Sequence, residues 1–269
     1  MIPAREIAPA KLNLALHVRG KLPDGRHDIE TVFAFCVDGD RLSAEETDEL
    51  SLRVTGPFAA ELGVGDDNLV IRAARALAEV AGASRGTAIS LDKRLPIASG
   101  IGGGSADAAA ALRLLTSLWN VDPKHAQDVA PGLGSDVPAC LLSLPARGEG
   151  AGDELAVIAL PELSGAPALL VNPRIRLSTA EVFAAWDGVD HGPLDDWRLG
   201  RNDLQPAAIA LVPQIETLLA WLSAQSGVEF VRMSGSGATC FALFDSDEAR
   251  DRAAEAVPRE WWHLATSLR

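Results

Sequence analysis

The stretch Ser99–Leu112, SGIGGGSADAAAAL, places four glycines in positions 100–104 and then changes abruptly to alanine and leucine. Glycine loses the most conformational freedom on ordering, so such a cluster suits a backbone that takes positive φ or approaches a ligand closely. Behind it, Ala108, Leu112, Leu115 and Trp119 recur at spacings of four, three and four, the apolar stripe of an amphipathic helix. Ser105 is expected to cap that helix and Asp107 to place negative charge in its first turn. Ahead of it, TAISLDKRLP alternates Ala88 with Ser90 and Ile89 with Leu91, and reads as a strand stopped by Pro96. The order is strand, glycine loop, helix. Amides at such a helix start, backed by the positive end of the helix dipole, form a site for phosphate oxygens. A tight connection with a well-capped helix behind it satisfies the same residues, so the loop alone leaves both readings open.

Other uses of such a loop fail on residue type. A Walker loop requires Gly-Lys followed by Ser or Thr, and Gly20-Lys21 is followed by Leu22. The dinucleotide fingerprint requires a third glycine where Ser105 stands. Neither Ser105 nor Ser236 has glycine two residues away on both sides, which excludes a hydrolase nucleophile elbow.

The chain of 269 residues suits two domains of ordinary size, placed at 1–160 and 161–269, where the pattern loosens through LPARGEGAGDEL and resumes at ALPELSGAPALLVNP. Its 48% hydrophobic and 23% charged residues are those of a globular protein, and no apolar run reaches the length of a membrane span. The N-terminus meets charge at its fifth residue without an apolar core segment, so a cytoplasmic location is expected. Cys36, Cys140 and Cys240 are isolated and read as buried, reduced thiols. A formal charge of −13 disfavours nucleic acid and anionic membrane as partners. A phosphorylated small-molecule substrate needs only loop amides and a local cation, and with four lysines in the chain each is a candidate.

Along the rest of the chain, APAKLNLALHVRG puts Leu12, Leu14, Leu16 and Val18 on one strand face and Lys11, Asn13, Ala15 and His17 on the other. The turn at Pro23, Asp24 and Gly25 leads to a second strand, Thr31 to Val37, forming a hairpin. Asn68 is expected to cap a helix to Val80 with Leu69, Ala73, Ala76, Leu77 and Val80 facing inward. The second half reads strand, helix (178–186), linker, helix (213–225), strand, glycine turn, strand, helix. That turn, Ser234 to Gly237, is a hairpin turn by itself; paired with the first loop, it suggests two turns closing on opposite sides of a triphosphate.

Three separated segments resemble one family. PAKLNLALHVRGKLPDGRHDIETVF, then LPIASGIGGGSADAAAAL with the later LGSDVPA, and RNDLQP with MSGSGATCFALF together are similar to the GHMP kinases, in order from Ala8 to Phe244. The Pro-Ala-Lys-x-Asn-Leu stretch with Asp-Gly-x-His narrows the resemblance to the branch acting on a cytidine-diphosphate-linked polyol in the non-mevalonate isoprenoid route. The resemblance implies an α+β fold of two domains with the active site in the cleft between them. It also implies ATP and Mg²⁺ as cofactors, and transfer of the γ-phosphate to the substrate's 2-hydroxyl. It further implies that Ser99, Gly100, Gly102, Gly103, Gly104 and Ser105 cradle the ATP phosphates, with Asn68 and Pro96 also in the nucleotide site. Asp136 matches the catalytic base and Lys11 the lysine beside it. Asn13 and His27 match substrate positions, His27 reading the cytosine, and Thr179 and Phe183 fall where the second domain meets the substrate. Arg26 stands where the family usually carries an aromatic that stacks on the base, and a planar guanidinium can serve as that platform.

Phosphoryl transfer asks a protein mainly for alignment and charge stabilisation. Asp136 would take the hydroxyl proton, while Lys11 keeps that carboxylate ionised and favours negative charge on the attacking oxygen. Each residue also has a plainer reading. Asp136 is then a helix or turn cap before Val137-Pro138, Lys11 a solvated edge-strand lysine and His27 a turn histidine; Thr179 is a cap and Phe183 a core aromatic. Two rivals remain: a GHMP kinase for homoserine or a mevalonate-type substrate, and a non-catalytic nucleotide-binding module.

Overall fold

The computed structural model of the protein describes residues 4–82 and 86–269. Met1–Pro3, the start of the segment read for a leader, lie outside the described residues. The chain forms two compact units that are interleaved in sequence. The first comprises residues 4–10, Asp38–Ile97 and Gly102–Ser143; the second comprises Lys11–Val37, Ala98–Ile101 and Leu144–Arg269.

Two long strands, β1 (Ala4–Lys21) and β2 (His27–Thr47), pair with each other and each contributes to both units. The expected hairpin turn joins them, Leu22 N donating to Arg26 O at 2.8 Å and Gly25 taking φ +87°. Strand β2 continues well beyond Val37. At Gly39 the backbone of β2 comes so close to β1 that a Cβ would lie 1.8 Å from Ala8 O, so only glycine permits the approach. Both faces of the middle of β1 are buried, which the alternation of Leu with Lys, Asn and His does not suggest.

In the first unit, β3 (Ser51–Thr55) runs parallel to β4 (Gly86–Asp92), and β4 is antiparallel to the later half of β2, from Arg41↔Asp92 to Thr47↔Gly86. Four helices pack together beside these strands: α1 (Leu69–Val80), α2 (Gly103–Trp119), α3 (Pro123–Leu133) and α4 (Val137–Leu142). Asn68 caps α1 as expected, its side chain accepting from Val70 N at 2.9 Å. The buried face of α1 is Val70, Ile71, Ala73, Ala74 and Leu77, rotated from the expected one and leaving Val80 exposed. Helix α2 begins before Ser105. Gly102 precedes it at φ +64° with no side-chain cap, and Ser105 lies inside the first turn. Asp107 is buried rather than facing solvent at the helix start. The alanines at 106 and 108–111 are all buried, their small size letting α1 and α4 pack closely against α2.

In the second unit, β5 (Ala146–Glu149) is antiparallel to the early half of β2, Thr31 facing Gly148, and to β6 (Glu154–Val157). A separate antiparallel sheet has the order β10-β7-β9-β8, formed by β7 (Pro167–Asn172), β8 (Val228–Met233), β9 (Cys240–Phe244) and β10 (Trp262–Ser267). Helices α5 (Thr179–Ala184), α6 (Gln205–Leu211), α7 (Gln214–Ser223) and α8 (Asp247–Glu255) complete the unit. Leu169, Val171, Leu218, Leu222 and Phe244 are among the residues of its core. Helices segregated from largely antiparallel sheets make this the expected α+β fold. The three cysteines are buried thiols, and among the described residues no helix is long and apolar enough to cross a membrane.

Candidate active site

In the first unit the glycine segment is anchored on a buried cluster. Strand β4 ends at Asp92, and Asp40 Oδ1 then accepts from Arg94 N at 2.5 Å and Leu95 N at 2.8 Å. Lys93 Nζ donates to Asp40 Oδ2 at 2.5 Å and to Asp107 Oδ2 at 2.6 Å. All three side chains are at most 3% exposed. Residues just before the loop and the first turns of α2 are thereby tied to one ammonium. Burial pushes the Asp107 carboxyl up to about 8, with the Lys93 charge opposing and the Asp40 carboxylate adding to the rise. Burial alone would lower Lys93, but Asp107 and Asp40 hold it above its ordinary value.

Above this anchor, Gly103 and Ser105 are half-buried and Gly104 is exposed, at the N-terminus of a 17-residue helix. Backbone amides there present the positive end of the helix dipole to an approaching anion. Pro96 is buried. Asn68, besides capping α1, donates through Nδ2 to Gly63 O at 2.6 Å, so its amide serves the local fold. Asp136 sits at the N-cap position of α4 yet makes no capping hydrogen bond, which removes its plainer reading as a cap.

In the second unit, Ser99–Ile101 lies against the other glycine turn. Gly100 takes φ +77°, and a Cβ there would lie 2.3 Å from Ser234 O. Ser234 Oγ donates to Gly100 O at 2.9 Å, Thr239 N to Ser99 O at 3.1 Å, and Lys11 N to Ile101 O at 3.0 Å. The expectation that the two turns close on opposite sides of a triphosphate is corrected at Gly100, where the two backbones touch and no ligand fits between them. Asn202, in the RNDLQP segment, holds the second turn by donating to Met233 O and Gly235 O, both at 2.8 Å.

Lys11 is not a solvated edge lysine, for it is 3% exposed. Its Nζ donates to Asn13 Oδ1 at 2.9 Å and lies 5.3 Å from the centroid of the Phe33 ring. Asn13 Nδ2 in turn donates to Thr31 Oγ1 at 2.8 Å, and Thr31 Oγ1 donates to Ala15 O at 2.6 Å. The chain of donors fixes the Asn13 amide and through it the ammonium. Asn13 thus acts on Lys11, a role the sequence reading does not include.

His27 and Phe183, 156 positions apart, come together: their rings stack with centroids 4.4 Å apart at 25°. Trp186 meets His27 edge-on at 5.8 Å. Burial, helped by the Lys21 charge, lowers the His27 pKa and favours the neutral imidazole. Thr179 does not cap α5; Ser178 does, and Thr179 Oγ1 is 2.9 Å from Ser236 Oγ of the second glycine turn. Arg26 is not laid on an aromatic ring. Its half-exposed guanidinium donates to Asp24 Oδ2 at 2.7 Å and Asp153 Oδ2 at 2.9 Å.

The sequence reading assigns no individual role to Lys93, Asp40, Thr31, Ser234, Asn202 or Trp186. For Lys93 the signal was present, a scarce lysine in DKRLP directly before the loop; the others act through contacts distant in sequence.

Comparison with known proteins fits these features. Residues 68–143 match the N-terminal domain of the GHMP kinases and residues 191–264 match the C-terminal domain. The chain belongs to the GHMP kinases and is a small-molecule kinase. Within them it belongs with the proteins named 4-diphosphocytidyl-2-C-methyl-D-erythritol kinase. The relative from Rhizorhabdus wittichii is 51% identical, the match covering 98% of this chain and 94% of the relative. The relative from Hyphomonas neptunium is 48% identical, over 97% and 95%. A crystal structure of 4-(cytidine 5'-diphospho)-2C-methyl-D-erythritol kinase superposes with a TM-score of 0.85 at 35% identity, covering 98% of each chain. A homoserine kinase from Cytophaga hutchinsonii shares the fold at 18% identity and a TM-score of 0.73.

Proposed function

We propose that this chain transfers the γ-phosphate of ATP to the 2-hydroxyl of 4-diphosphocytidyl-2-C-methyl-D-erythritol, in the non-mevalonate route to isoprenoid precursors. The names of the relatives, matched over 94% or more of their length, support this acceptor. The structural observation that carries the reading is the buried Lys11 ammonium oriented by Asn13 and Thr31. A cation held in place out of solvent stabilises negative charge where it develops in phosphoryl transfer.

In this reading Asp136 accepts the proton of the attacking hydroxyl, and Lys11 stabilises the developing alkoxide. The amides of Gly102, Gly103, Gly104 and Ser105 hold the ATP phosphates on the α2 dipole, while Ser99 and Gly100 fix the loop's approach. Mg²⁺ brought in with the nucleotide would supply charge neutralisation at its phosphates. Among the described residues no cluster of three His, Cys, Asp or Glu could hold a metal ion. The donor set therefore suits a cation carried by the phosphates, with Ser105 as a hydroxyl donor beside them. His27, Phe183, Thr179 and Asn13 belong to the acceptor side, and Arg26 lies at its margin. The two family matches fall on either side of residue 160, which supports 1–160 and 161–269 as the inherited domains. A cytoplasmic location accords with this nucleotide and acceptor.

A coupled ADP-release assay tests the reading. ADP is expected with 4-diphosphocytidyl-2-C-methyl-D-erythritol and not with the same polyol phosphate lacking cytidine. Equal turnover of both, or of homoserine, overturns it.

A further inference from the structure

Two buried nitrogens in one cluster of rings are left without hydrogen-bond partners. His27 Nε2 and Trp186 Nε1 are both shielded from water and both unpaired. They belong to rings 5.8 Å apart, meeting at 85°. Native proteins leave few buried polar atoms unsatisfied, and two in adjoining rings mark a place where something else supplies the partners. The residues themselves are only partly buried, so a ligand can reach the cluster's edge. Phe183 and Trp186 also pack against the apolar core of the second unit, which holds their rings in place.

The neighbouring groups narrow the choice of ligand. His27 and Phe183 are already stacked at 4.4 Å, a spacing with no room for a third ring between them. The Arg26 guanidinium is taken up by Asp24 and Asp153. Trp186 is the aromatic that remains. An indole N–H can only donate, so its partner must be an acceptor, and neutral imidazole in the tautomer with its proton on Nε2 sets a second donor beside it.

We infer that Trp186 is a specificity-determining residue of the acceptor site, its indole N–H donating to the base edge of a cytidine nucleotide beside His27. The inference rests on the cytidyl acceptor proposed above. Cytosine presents O2 and N3 as adjacent acceptors. Uracil has a hydrogen on N3, which separates its two carbonyl acceptors and breaks that pairing. The site therefore selects cytidine over uridine.

Calorimetric titration of the full chain with CDP and UDP tests this, using wild type and Trp186→Phe, which keeps a ring and deletes the N–H. Wild type is expected to bind CDP more tightly than UDP. Trp186→Phe should weaken CDP binding by about threefold to tenfold, the size of one net hydrogen bond. It should also narrow the CDP-to-UDP ratio and leave ATP affinity unchanged. Wild-type CDP affinity and ratio in Trp186→Phe overturn the role of Trp186 alone. Failure of the wild type to bind CDP overturns the cytidyl acceptor as well. Should Trp186→Phe not fold, the wild-type NMR spectrum decides: an indole N–H resonance must move with CDP and not with UDP, and no movement overturns the inference.

Discussion

Lys93 Nζ and Asp107 Oδ2 lie 2.6 Å apart with both side chains out of solvent, and the same ammonium is 2.5 Å from Asp40 Oδ2. Two carboxylates share one cation here, and the second Asp107 oxygen, Oδ1, has no partner. Full ionisation would leave an uncompensated negative charge in the interior. Burial accordingly raises the Asp107 pKa from 3.8 to about 8. A folded-state pKa above the unfolded one means that the folded chain binds the extra proton between about pH 4 and pH 8. Stability from this group is thus greatest at low pH and is lost as pH rises through that window. Asp107→Asn, which imitates the protonated acid, should lack that loss. Urea unfolding of both proteins from pH 5 to pH 8 should show the variant gaining on wild type by up to about 1.4 kcal/mol per pH unit. Parallel curves would show that Asp107 is ionised throughout.

At the N-cap position of α4 the Asp136 side chain makes no capping hydrogen bond, while its carbonyl accepts from Cys140 N at 3.0 Å, a backbone bond that asparagine keeps. Asp136→Asn should fold normally and bind ATP with nearly wild-type affinity. Loss of a general base costs about 10²-fold to 10⁴-fold in rate. The expected signature is a fall in kcat with little change in KM, measured by steady-state ADP release. A variant retaining a third of wild-type kcat would remove Asp136 from the chemistry.

The glycines of the loop separate by what a side chain would strike. At Gly104 an added Cβ meets only Leu69 Cδ1 at 3.5 Å; at Gly103 it comes 3.1 Å from Lys93 Nζ. At Gly100 it would lie 2.3 Å from Ser234 O, in a backbone at φ +77° that side chains disfavour. Gly104→Val is therefore the clean test of phosphate contact: it should unfold at the wild-type temperature and bind ATP weakly. Gly100→Ala should lower the melting temperature regardless of nucleotide. Unchanged ATP affinity in Gly104→Val would reduce the loop to a connector.

How much of this was legible in the sequence depended on the range of the interaction. The strand, loop and helix around Ser99 were readable because glycine content, apolar spacing and Pro96 are local signals. The start of α2 was misplaced by the attraction of Ser105 as a cap, since a left-handed Gly102 leaves no polar signature. Strand β10 went unread because Trp262–Ser267 is mostly half-buried and does not alternate cleanly. In the site, the candidate types Lys11, Asp136 and His27 stood out by resemblance. Thr31 and Ser234 did not, because a hydroxyl that orients Asn13 from 18 or 221 positions away is an ordinary residue until the chain folds.

Arg26 shows what side-chain geometry adds to a sequence motif. Its position before His27 invites a stacking role, and a guanidinium has the planarity for it. In the structure, however, the hairpin turn supplies Asp24 two residues earlier, and Asp153 approaches from the loop between β5 and β6. The backbone N–H of Arg26 also donates to Asp24 Oδ1 at 2.9 Å, so the turn and the ion pair reinforce each other. The Asp153 and Asp24 hydrogen bonds hold the Arg26 pKa above its ordinary value, and those to Arg26 lower that of Asp24. These contacts engage the edge of the guanidinium and fix its plane on the hairpin turn. Arg26→Ala should therefore leave KM for the cytidyl substrate and kcat close to wild type, because exposed ion pairs of this kind contribute little. Trp186→Phe should raise that KM at unchanged kcat, and steady-state kinetics on the two variants side by side make the comparison direct. A KM raised tenfold or more in Arg26→Ala alone would return the stacking platform to Arg26 and take it from the Trp186 edge.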